Sequence, residues 1–79
     1  MKINVIERKL GREKAWGLAW ESDKKIEIDV NQPPKEHLNT VIHECLHIVL
    51  PELTEKEVIK YSNTIAGVLW KMKYRRIKE

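Results

Sequence analysis

One segment of this 79-residue chain has the residue types and the spacing for metal chemistry. It reads Val41-Ile42-His43-Glu44-Cys45-Leu46-His47, two histidines four apart with a glutamate directly after the first. On a helix of ~3.6 residues per turn, positions four apart share a face about 6 Å along the axis, so both imidazoles reach one cation. Neutral imidazole nitrogens suit zinc. Glu44 is turned by ~100° from His43 and projects beside such an ion rather than onto it, where a carboxylate takes a proton from a water that the metal activates. The expected chemistry is hydrolysis, with His43 and His47 as metal ligands and Glu44 as the general base.

Two histidines hold zinc poorly, and catalytic sites usually combine three protein ligands with one position open to water. The acidic residues downstream are Glu52, Glu55 and Glu57, and a short connection brings the start of the next helix back beside His47. Glu55 is the first choice, because it precedes Val58 by three and Ser62 by seven and so stands at the margin of that helix's inner stripe. Glu57 is the second. It lies four residues before Tyr61 at the other edge of the stripe, but it also has a local role as capping partner of Thr54.

The elements that must hold these residues follow from periodicity. Ile3 and Val5, then Trp16, Leu18 and Trp20, then Ile26, Ile28 and Val30 recur at steps of two, which predicts three strands within residues 1 to 31. Gly11 and Ser22-Asp23-Lys24 separate them, and a small antiparallel sheet with one apolar face is the simplest arrangement. Asn31-Gln32-Pro33-Pro34 ends the third strand and opens a helix over 35 to 50, with Leu38, Val41, Ile42, Cys45 and Val49 as the stripe laid on the sheet. His43 and His47 lie off that stripe. Pro51 stops the helix, and Thr54 with Glu57 starts a second one over 54 to 75, whose inner face carries Val58, Tyr61, Ser62, Ile65, Val68, Leu69 and Met72. Only a few residues join the helices, so they pack antiparallel. The fold class expected is α+β: three strands followed by a helical hairpin, in one domain over residues 1 to 79.

The motif, followed by a helix bearing an acidic residue, resembles the gluzincins, zincin metallopeptidases whose third ligand is a glutamate. Leu53-Thr54-Glu55-Lys56-Glu57-Val58 and Tyr61-Ser62 further resemble the acidic second-helix segment of ImmA/IrrE-like proteins and of small phage-encoded zincin-like proteins. The resemblance covers about residues 25 to 72 and is specific at the five-residue motif. It implies a strand packed beside the motif helix, zinc on both histidines and the glutamate, a catalytic Glu44, and a peptide or protein substrate. These 79 residues are far fewer than in ordinary peptidases of that clan, and a separate substrate-binding lobe is not expected within them. The third strand, Lys25 to Val30, would dock an extended substrate by strand addition if it formed the sheet edge.

Composition narrows the other classes. A net charge of +3 is too small to imply nucleic acid by itself. The basic tail Lys71, Lys73, Arg75, Arg76 and Lys78 is the feature that would serve a phosphate backbone or an acidic partner, although cations are routine at a helix C-terminus. That tail underlies the rival reading, a non-catalytic, zinc-stabilised interaction module. Cys45, the single cysteine, forms no internal disulfide and reads as a small buried apolar residue. His37 reads as a surface residue, and Trp16, Trp20, Trp70 and Tyr61 as core. No apolar run approaches the ~18 residues of a membrane span, so the expected location is the cytoplasm.

Overall fold

The computed structural model describes residues 1–76. Its elements are β1 (Asn4–Arg8), a 3-10 turn (Gly11–Glu13), β2 (Gly17–Trp20), β3 (Lys25–Asp29), α1 (Pro34–Val49) and α2 (Glu55–Lys71). The α+β class holds. The sheet is mixed rather than antiparallel, with order β1-β3-β2: β1 runs parallel to β3, and β2 pairs with β3 antiparallel.

The difference has a local cause. Glu21–Lys24 is a tight reversal, closed by the Lys24 N–H donating to the Glu21 carbonyl at 3.1 Å and by a left-handed Lys24, so β2 and β3 form a hairpin. The segment between β1 and β2 is longer and carries its own 3-10 turn, and it spans the end of β3 to reach the far side. Strand alternation reports which face each side chain takes but not which strands are neighbours. The central strand is therefore β3, and it is buried on both faces. Ile26 and Ile28 point to the helices and form the core with Ile48, packed by Val41 and Cys45.

On the opposite face Glu27 is buried. Arg8 and the Trp20 indole both donate to its carboxylate, the indole at 2.7 Å. These bonds hold the Glu27 carboxyl below the usual range, the Arg8 contact foremost. Buried charge is tolerated here because it is paired and hydrogen-bonded. Leu10, just before the Gly11 that separates the first two strands, is completely buried, whereas Trp16 and Trp20, expected in the core, are exposed.

Helix α1 opens with Pro34 at its first turn and ends at Val49, with Leu50 as its C-cap before Pro51. Its sheet-facing stripe runs through Val41, Cys45 and Ile48, and Val49, expected in it, is exposed. Helix α2 starts in the expected capping box: the Thr54 hydroxyl accepts from the Glu57 N–H at 3.1 Å, and the Glu57 carboxylate accepts from the Thr54 N–H at 2.9 Å. It ends at Lys71, four residues short of the expected Arg75. Asn39 donates to Asn63, while the C-terminal half of α1 faces Glu55, so the two helices run antiparallel. α2 packs on α1 and makes no substantial contact with the sheet, which leaves Tyr61, Ile65, Val68 and Met72 of its expected inner face exposed.

Candidate metal centre

The helical hairpin brings His43, His47 and Glu55 together. The Nε2 atoms of His43 and His47 lie 2.8 and 2.9 Å from the two oxygens of Glu55, and one ligand atom from each residue falls within 4.8 Å of the others. The imidazole rings stand 5.0 Å apart, centroid to centroid, on adjacent turns of α1. Glu55 reaches them because the five-residue connection after α1 is short and the capping box fixes the direction in which α2 departs.

This donor set fits zinc. Two imidazole nitrogens and a carboxylate oxygen are ligands of the type zinc takes, and donors ~2.0–2.1 Å from a tetrahedral ion sit about 3.3 Å apart. Small side-chain rotations that lengthen the His–Glu contacts open that space. Glu57 does not join the cluster, since its carboxylate is engaged with the Thr54 backbone.

Glu44 sits between the ligand face and the sheet-facing stripe of α1. It is 8% exposed and points at β2, where Gly17 lies directly against it. A β-carbon at Gly17 would stand 2.7 Å from the Thr40 methyl and 2.8 Å from Glu44 Cγ, closer than such contacts allow. The absence of a side chain at Gly17 is what lets strand and helix approach here. A glycine inside a strand pattern is the usual sign of such an approach, and Trp16-Gly17-Leu18 carries it, although sequence reading passed it over. Burial first, and the negative charge of Glu55 second, push the Glu44 carboxyl up to about 7. Its proton is therefore exchangeable at neutral pH.

An open cleft of about 430 Å³ joins these groups, lined by Gly17 to Ala19 of β2 on one side and by His43, Glu44, His47 and Glu55 on the other. The strand at the cleft is β2, which has a free edge. The third strand, the candidate for substrate docking in the sequence, is the sheet's centre and has no free edge to offer.

The remaining candidates fall away from the cleft. Cys45 packs against the core, and burial pushes its thiol up, away from the thiolate that metal or redox chemistry requires. His37, expected at the surface, is half-buried and bonds Glu7 at 3.0 Å. In the basic tail the Arg75 guanidinium stacks 3.4 Å from the Trp70 ring centroid and donates to the Trp70 carbonyl at 2.7 Å. Arg76 pairs with Glu7 and holds that carboxyl below its usual range. Two of the cations available for a phosphate backbone are thus engaged within the domain, and Lys78 lies outside the described residues. No helix among the described residues is long and apolar enough to cross a membrane.

No protein-family model, curated protein or solved structure matches this chain. The functional reading therefore rests on the site's own chemistry.

Proposed function

We propose that this domain is a zinc-dependent hydrolase of peptide bonds, with His43, His47 and Glu55 holding the metal and Glu44 acting as general base. The observation that carries the reading is the juxtaposition of three converging donors with the buried Glu44 carboxyl in one open cleft. A zinc ion held by those donors supplies a Lewis acid that polarises a carbonyl and brings the pKa of a water close to neutrality. Glu44, beside the three donors, would accept the proton of the attacking water and deliver it to the departing amine. His43, His47 and Glu55 keep their positions because all three stand on helices rather than loops.

The free edge of β2 supports a peptide as substrate. An extended chain adding to it by backbone hydrogen bonds passes along the cleft, with specificity left to alternate side chains. Cleavage of unstructured polypeptide by the zinc-loaded chain is the test, with Glu44→Gln alongside. The expected result is zinc retained at one equivalent and hydrolysis lost in the variant. Equal cleavage by both chains would remove Glu44 from the mechanism, and stoichiometric zinc without any cleavage would favour the zinc-stabilised interaction module.

A further inference from the structure

The cleft stands apart from the rest of the chain in its charge. The chain carries 15 lysines and arginines and a net charge of +3, yet none of the nine residues lining the cleft is a Lys or an Arg. Three of them are glutamates, and two of these are already assigned, Glu55 to the metal and Glu44 to the proton. The third, Glu21, is exposed in the turn that follows β2 and makes no ion pair among the described residues. Pro51 lines the same cleft immediately after the C-terminal end of α1, where the helix dipole is negative. Apart from a bound metal, no cation in the cleft offsets either charge.

Strand β2 determines how a peptide would meet that charge. The Asp29 N–H donates to the Trp16 carbonyl at 2.8 Å, so that carbonyl faces β3. The Gly17 N–H lies on the opposite side of the same trans peptide plane and faces the free edge. Strand alternation then turns the N–H and C=O of both Gly17 and Ala19 outward, as the groups an added strand would bond. Gly17 pairs with Ile28 and Ala19 with Ile26, which places both on the helix face of the sheet. Neither has the bulk to select a substrate side chain. Glu21 is next in that series, about 7 Å beyond Ala19 along the chain, and is the first member with a long side chain.

Resting on the peptidase reading for the kind of ligand, we propose that Glu21 is the specificity-determining residue of the cleft. The substrate is an extended peptide with a lysine or arginine two positions from the residue that pairs with Ala19. A basic side chain there is attracted by the Glu21 carboxylate and by the end of α1 together, and an acidic one is repelled by both. The charges meet in solvent, so the discrimination is moderate: lysine is preferred over glutamate by about fivefold at low salt, and by less at high salt.

The zinc-loaded Glu44→Gln chain separates binding from cleavage. Fluorescence anisotropy measures its affinity for end-blocked, dye-labelled peptides of alanine and serine that carry a single central Lys, Gln or Glu. The expected order is Lys, then Gln, then Glu, with about fivefold between the extremes. Added to that chain, Glu21→Gln should level the three peptides and Glu21→Lys should reverse their order, with zinc content unchanged. In the wild type kcat/KM should follow the same order, and the cut should move with the lysine when it is shifted along the peptide. An order indifferent to Glu21→Lys, or no binding of any peptide, overturns the proposal, and cleavage by the wild type would then leave the peptidase reading standing without it. The expected order in a chain whose wild type cuts nothing supports Glu21 as the selecting residue and sinks the peptidase reading instead. Zinc lost from the Glu21→Lys chain with the peptide order unmoved assigns the charge to metal capture and overturns the proposal equally.

Discussion

Gly17 on β2 and Glu44 on α1 meet so closely that a β-carbon at the glycine would stand 2.9 Å from Glu44 Oε2. The position of the proposed base thus depends on a residue with no functional group, on a different element. Gly17→Ala should push Glu44 and Thr40 aside and destabilise the fold by about 1–3 kcal/mol. Peptide hydrolysis should fall at least tenfold, while zinc, whose proposed ligands lie on the other side of Glu44, should stay bound with near-normal affinity. Paired measurements of zinc binding and turnover check this, and unchanged turnover would mean that Glu44 needs no such placement.

The two acidic residues at the start of α2 have different partners, so their substitution separates them. Glu55→Gln, like His43→Ala and His47→Ala, should weaken zinc binding by about two orders of magnitude or more, as expected on losing one of three protein ligands. Glu57→Gln should leave it nearly unchanged, because glutamine also completes the capping box. Competition with a chromophoric chelator measures both, and the reverse ranking would make Glu57 the ligand.

Glu44 also predicts how the metal-free protein responds to pH. Its carboxyl is raised from 4.5 to about 7, so the folded chain holds that proton more tightly than the unfolded chain does. The associated stability is complete below 4.5 and is lost as pH rises through about 7, a change of at most about 3 kcal/mol. Urea unfolding of the metal-free chain between these limits should show stability falling with rising pH, and Glu44→Gln should remove most of the slope. Saturating zinc should flatten it in the wild type, since a cation beside Glu44 favours the charged form.

Glu27 has the opposite sign. Its carboxyl is lowered, by Arg8 first and Trp20 second, so its contribution is present above 4.5 and is lost as pH falls through the depressed value. Arg8→Ala leaves the Glu27 carboxylate with the Trp20 indole as its main partner and should destabilise the fold at neutral pH. The deficit should shrink in acid, where the carboxyl is protonated and no longer needs the cation. Chemical denaturation at two pH values checks the crossover, and a deficit independent of pH would assign the loss to packing of the Arg8 stem.

Much of the site's placement was legible because it is local. Two histidines four apart must share a helical face, and Thr54 with Glu57 must start a helix close to the end of the previous one, so one short connection carries Glu55 to His43 and His47. The three strands were legible for the same reason, since alternation is a property of neighbouring residues. Their order was not, because the identity of a strand's neighbour is decided by contacts across the chain. The same limit explains why β3 was mistaken for a possible edge, and why Tyr61, Ile65, Val68 and Met72 were assigned to a core that α1 is too narrow to provide.

By itself the sequence determined the elements, their caps and the faces on which chemistry-bearing residues stand, because each depends on backbone geometry over a few residues. Tertiary structure alone decided that β2 and not β3 borders the cleft, that Gly17 seats Glu44, and that burial brings that carboxyl near neutrality. Desolvation and close packing depend on atoms distant in the chain, and residue spacing carries no information about which of them arrive.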